Sequence, residues 1–304
     1  MRVPATPSRF GFLCEPIGAS FAGVRIEPLP DHPQRIEWYR KHSNVDGFFY
    51  PPQIATYTRR VDGSRGRKVP RTTRRASVFQ LPASHTLSVA APLDSTFPHS
   101  DAALIIHLLA FIFGTRLQFE EWRFDGRVPT DCTLAASITT PVRVHFVQEA
   151  YTWWKALPST LRIHVVSLLY AFNRANSAEW EWDAFYQHYM VFDGLFHLHA
   201  EMKALRKKIG HMERFAVLCA SYGIPYNDEL VKKLYRARNQ LFHEAMWADA
   251  MIGHRGDAQD TYYYPRHLAR LNARILCAIT GYQNSFTSSV WWAMGRFHFP
   301  RVKT

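Results

Sequence analysis

Two regimes of hydrophobic spacing divide the chain. Up to about residue 148 the apolar positions come in short alternating runs; beyond it they recur every three or four residues. The first regime predicts short strands near residues 21–26, 47–50, 54–59, 78–81, 86–90, 116–124, 134–138 and 142–147, with a turn at Asp125-Gly126. One helix interrupts them, residues 100–113, apolar almost all round and opened by a Ser-Asp cap. The second regime predicts helices over residues 150–157, 159–176, 181–207, 211–221, 228–247 and 265–280. In the third of these Phe185, Tyr189, Phe192, Phe196 and His199 form a core stripe. The expected fold is α+β: a mainly β domain over residues 1–148 and an all-α bundle over residues 149–304.

The helix predicted over residues 228–247 is the most informative. Leu230, Leu234, Ala237, Leu241 and Ala245 make its apolar stripe, and Asn227 or Asp228 caps its start. Arg238, Asn239 and His243 border that stripe. Asn239 and His243 fall one turn apart on one side, whereas Arg238 and His243 are ~140° apart at ~100° per residue. The length of the arginine arm bridges that gap.

Charge sharpens the picture. The 304-residue chain carries a net charge of +12, which favours an acidic partner, nucleic acid being the commonest; a merely basic surface is the alternative. The densest basic stretch, Arg59, Arg60, Arg65, Arg67, Lys68, Arg71, Arg74 and Arg75, fits a solvated hairpin better than a phosphate-tracking arm, because no aromatics alternate with the arginines. The cysteines Cys14, Cys132, Cys219 and Cys277 form no CxxC pair and suit free thiols in a reducing cytoplasm. No leader pattern opens the chain, and the apolar run at residues 102–113 is too short to span a bilayer, so no membrane association is expected.

Little else carries chemistry. His85, His99 and His107 lack metal-site companions, and His107 fits a satisfied core histidine. Gly63, Gly66 and Lys68 miss the phosphate-loop spacing, and Trp247 stands where a zinc protease needs its second histidine after His243-Glu244. Arg followed five residues later by His is worthless by itself. About one match is expected by chance with this many histidines, and Arg206 with His211 is a second match, at a helix end where nothing is expected to hold its geometry.

The Arg238 match differs in its amphipathic helix and in the small polar residue that follows it. The segment Leu234-Tyr235-Arg236-Ala237-Arg238-Asn239-Gln240-Leu241-Phe242-His243-Glu244 resembles the signature of the HEPN superfamily, helical bundles whose ribonuclease members carry Arg, a small polar residue and then His. A β-rich region before such a bundle is similar to the ApeA-like group of anti-phage abortive-infection ribonucleases. The resemblance covers roughly the second half of the chain. It implies a metal-independent endoribonuclease, toxin-like or anti-phage, with no cofactor. Cleavage would run by 2′-hydroxyl attack to 2′,3′-cyclic phosphate and 5′-hydroxyl ends. It also implies a homodimer pooling two Arg–His pairs in a composite site.

The residue types suit that chemistry. Histidine can move the protons near neutral pH, arginine can meet the charge on the phosphorane, and Asn239 can hold the imidazole tautomer. Lys232, Lys233 and Arg236 are candidate contacts to flanking phosphates. Transfer RNA, messenger RNA and phage transcripts all fit as substrate, with a phage-derived trigger as the gate and the β domain as sensor or RNA-positioning module. Tyr235 suits packing better than base stacking, and Glu244 suits a surface acid. Asp193 fits either a site residue or an ordinary helix acid, and the connection after the helix carries His254 and Arg255. The competing expectation is a non-catalytic helical module that binds RNA or protein, with Arg238 and His243 as a structural pair.

Overall fold

The computed structural model describes residues 7–42, 47–50, 57–59, 65–68, 78–79, 81–96, 98–120, 122–130, 136–247, 249–253, 259–282, 284–293 and 297–299. The chain is α+β, with an antiparallel sheet in its N-terminal part and helices in its C-terminal part. It divides into two compact units: Met1–Ala90 with Thr115–Asp131, and Ala91–Gly114 with Cys132–Thr304.

The first unit contains α1 (His32–His42) and strands β1 (Ser8–Gly11), β2 (Ala19–Phe21), β3 (Val24–Pro28), β4 (Phe48–Phe49), β5 (Tyr57–Arg59), β6 (Arg65–Lys68), β7 (Val78–Phe79), β8 (His85–Val89), β9 (Gln118–Phe119), β10 (Phe124–Asp125) and β11 (Val128–Pro129). Five of them form an antiparallel sheet in the order β2-β3-β8-β1-β9. The alternation expected of a half-buried sheet is present in β3, where Val24 and Ile26 are buried and Arg25 and Glu27 exposed. In the basic stretch, β5 and β6 pair antiparallel as a hairpin; Arg60, Arg71, Arg74 and Arg75 lie outside the described residues.

The second unit contains α2 (Asp101–Phe113), α3 (Thr140–Lys155), α4 (Ser159–Ala175), α5 (Glu181–Met202), α6 (His211–Tyr222), α7 (Asp228–Asn239) and α8 (Tyr264–Ile279). Two departures from the sequence expectation meet here. Residues 142–147 are helix rather than strand: Pro141 opens α3, and its buried positions Val142, Phe146, Val147, Ala150, Tyr151 and Trp154 follow helical spacing. The division at residue 148 also fails for α2, which belongs with the helices. It packs on α3 and α4, and its His107 carbonyl accepts a hydrogen bond from Asn173 Nδ2 at 3.0 Å. The Ser100 hydroxyl caps α2 by accepting from the Ala103 amide, and Gly114 ends it at φ 63°, where a side chain would be strained.

Helix α5 is the spine of the unit, lying against both α4 and α8. All five of its expected stripe residues, Phe185, Tyr189, Phe192, Phe196 and His199, are buried. It stops at Met202, short of residue 207, because residues 203–208 are exposed and offer no apolar face to bury. No helix among the described residues is long and apolar enough to cross a membrane.

Candidate active site

Asn227 opens α7 as its N-cap, its Oδ1 accepting from the Leu230 amide at 3.0 Å. Val231, Leu234 and Ala237 form the buried face. The expected helix to residue 247 does not form. Regular α geometry ends at Asn239, and Gln240–Glu244 is one turn of π-helix. Ala245 then reverses the chain in the left-handed region at φ 54°, its amide bonding the Gln240 carbonyl. Leu241 is only half-buried and Ala245 is exposed, so neither belongs to a buried stripe.

The departure has a visible cause. Trp247 is buried to 2 % exposure, against Phe185 and Tyr264. To reach that place the chain turns into a short hairpin, β13 (Met246–Trp247) with β14 (Ala250–Met251). Asp249, in the hairpin turn, accepts from Gln240 and from Arg236, which ties the hairpin to the π turn.

The wider turn places Arg238 and His243 together. A π turn bonds each residue to the fifth before it, so residues five apart approach one side, where α geometry would separate them. Arg238 Nη1 donates to His243 Nε2 at 2.9 Å and to Asn239 Oδ1 at 3.0 Å. A guanidinium only donates, so Nε2 of His243 is the acceptor in this bond. Asn239 therefore orients the arginine; the expectation that it holds the imidazole is not met. The Arg238 guanidinium carbon lies 4.7 Å from the Phe242 ring centre and 6.0 Å from that of Tyr189. Arg238 is half-buried and His243 exposed, so the pair has a sheltered cation and an open base.

A second polar group sits beside it. Asp193 of α5 accepts from Arg214 Nη1 at 2.6 Å and lies 3.4 Å from His211 Nδ1. The His211 ring is 6.3 Å from Tyr189 and 6.4 Å from Tyr235, so Tyr189 neighbours both Arg238 and His211. Burial holds the His211 imidazole below its ordinary value; Asp193 opposes this, and the Arg214 and Arg238 charges reinforce it. Burial pushes the Tyr189 phenol up, keeping it protonated. Of this group the sequence offered only Asp193, as either a site residue or an ordinary helix acid. His211 drew notice only as a chance match to Arg206, whereas its geometry is held by Asp193 and by Arg214 one turn on. The i,i+3 spacing of His211 and Arg214 at a helix start was the available signal.

The other candidates scatter. Lys232 pairs with Asp228 at 2.7 Å and Arg236 with Asp249 at 2.8 Å, both exposed. Lys233 lines a different feature, a cleft of about 230 Å³ shared with Glu229, Tyr263, His267 and Trp292. Tyr235 is half-buried and Glu244 exposed; His254 and Arg255 lie outside the described residues. The chain matches no family model, no curated protein and no solved structure.

Proposed function

We propose that the chain is a HEPN-type, metal-independent endoribonuclease acting in anti-phage defence or as a toxin. The observation that carries this reading is the Arg238–His243 pair, joined at 2.9 Å where α7 passes into the π turn, with His243 exposed. The His243 Nε2 lone pair, once Arg238 Nη1 gives up its hydrogen bond to it, is suited to take the 2′-hydroxyl proton as that oxygen attacks the adjacent phosphorus. Once protonated, the ring can no longer accept from the guanidinium. Two donors of positive charge then stand side by side, and both are satisfied by the developing phosphorane. Arg238 turns the Nη1 donor released by His243 toward it, while Asn239 and the Phe242 ring hold the rest of the guanidinium in place. Departure of the 5′-oxygen with a proton from the protonated histidine of a second copy leaves a 2′,3′-cyclic phosphate and a 5′-hydroxyl.

The proposal includes a homodimer in which two copies pool their pairs, since one histidine must otherwise serve as both base and acid. It also includes gating by a phage-derived trigger, because unrestrained RNA cleavage kills the host, with the first unit as sensor or RNA-positioning module. A non-catalytic RNA- or protein-binding module is the second reading. It is favoured by one observation: Arg238 is half-buried and directs Nη1 to two groups of its own chain.

The test incubates total RNA with purified protein in EDTA, with and without infected-cell extract, beside Arg238→Ala and His243→Ala. Fragments from the wild type alone support the nuclease. Cleavage abolished by EDTA, or retained by both variants, overturns it.

A further inference from the structure

Away from the pair on α7, helices α4 and α5 bring two imidazoles and a carboxylate together. His197 and Glu201 lie one turn apart on α5, with His197 Nε2 and Glu201 Oε1 at 3.1 Å. His164, on α4, faces them, its ring centre 5.3 Å from that of His197. One ligand atom from each of the three residues lies within 4.8 Å of the other two. Gly194 permits this approach. A Cβ there would fall 2.5 Å from Leu168 Cδ2 and 3.7 Å from His164 Nε2, so any side chain would press on the residues that carry His164 toward α5.

We propose that His164, His197 and Glu201 bind one divalent transition-metal ion, Zn²⁺ by preference, with water completing the tetrahedron. Two imidazoles and one carboxylate match the donors zinc takes in three-ligand sites; magnesium and calcium seek oxygen alone. Zinc–ligand bonds of ~2.0–2.2 Å put tetrahedral ligand atoms about 3.3 Å apart. The His197–Glu201 separation already meets that, and the wider separations close by side-chain rotation. His197 and Glu201 are exposed and His164 half-buried, so the ion has a path in. Bound there it ties α4 to α5, and it has no part in the cleavage proposed above.

The experiment titrates the metal-free full-length chain with Zn²⁺ against a chromophoric chelator. The proposal expects one tight Zn²⁺ per chain, weakened at least tenfold by each of His164→Ala, His197→Ala and Glu201→Gln and unchanged by His243→Ala. Exposed Glu201 provides a variant that keeps its fold. Co²⁺ loaded at one equivalent should give the visible bands of a tetrahedral site without a thiolate charge-transfer band, which excludes the cysteines. Stoichiometric binding unaffected in all three variants overturns the site, as does wild-type affinity no tighter than that of Glu201→Gln.

Discussion

Trp247→Ala asks why the chain abandons its helix just before His243. A buried tryptophan removes ~150–250 Å² from water, or about 4–6 kcal/mol at ~25 cal/mol per Å². That figure is an upper bound, because the unfolded chain already hides some of the area. Truncations at such sites cost ~3–5 kcal/mol once the cavity is included. At 2 % exposure, against Phe185 and Tyr264, Trp247 belongs in that range. Among the described residues of its hairpin no other side chain is as buried: Met251, paired with Met246, is 65 % exposed. The helical unit should therefore lose ~3–5 kcal/mol, roughly 6–20 °C of Tm at ~2–4 °C per kcal/mol for a unit of its size. Urea and thermal unfolding followed by far-ultraviolet circular dichroism report on this, since most helices lie in that unit. Met251→Ala is the control and should cost no more than ~0.5 kcal/mol. A Trp247→Ala cost below ~1 kcal/mol, or equal costs for the two variants, would refute the idea that indole burial draws the chain out of α7.

Further expectations concern the frame around the site. Asn227→Ala removes the cap of α7 and should cost ~1 kcal/mol in chemical denaturation. Gly194→Ala should cost ~1–3 kcal/mol by overpacking against Leu168, and a double-mutant cycle with Leu168→Ala should show a cost below the sum of the singles. Burial lowers the His188 pKa to about 3, and the unfolded ring titrates at its ordinary value of 6.5. Between those limits the unfolded state holds the extra proton, so His188 adds nothing against folding above pH 6.5. Stability falls as the pH drops below it, by up to ~1.4 kcal/mol per pH unit. Urea midpoints taken from pH 7.5 to pH 5 should show that slope, and His188→Gln should flatten it.

Much of the helical unit was legible because its period is strong. The stripe on α5 is buried as expected, the starts of α4, α5, α6 and α7 agree with the spacing, and Asn227 caps α7. What failed did so for physical reasons. At residues 142–147 a short apolar run fits strand and helix alike, and burial on its neighbours decides for helix. Helix α2 is apolar all round, which announces burial but not the partner. At the site, Arg238, Asn239 and His243 were legible as residues but their geometry was not. An α-helical wheel separates arginine from histidine; the π turn that joins them depends on Trp247 burial and on Asp249, contacts set by tertiary structure. His211 meets Asp193, and His164 meets His197 and Glu201, only across helix pairs; the i,i+4 spacing of His197 and Glu201 marks two members of the second group but not the third.

The most direct measurement of the central claim reads the chemistry of the cut ends. RNA fragments made by the wild type in EDTA would be freed of EDTA and treated with polynucleotide kinase and ATP labelled in its γ-phosphate, with and without prior phosphatase. Attack by the 2′-hydroxyl, with His243 and Arg238 in the roles given, produces 5′-hydroxyl ends that label without phosphatase, and no such ends from His243→Ala. Ends that label only after phosphatase carry a 5′-phosphate, the product of attack by water, and would contradict the account.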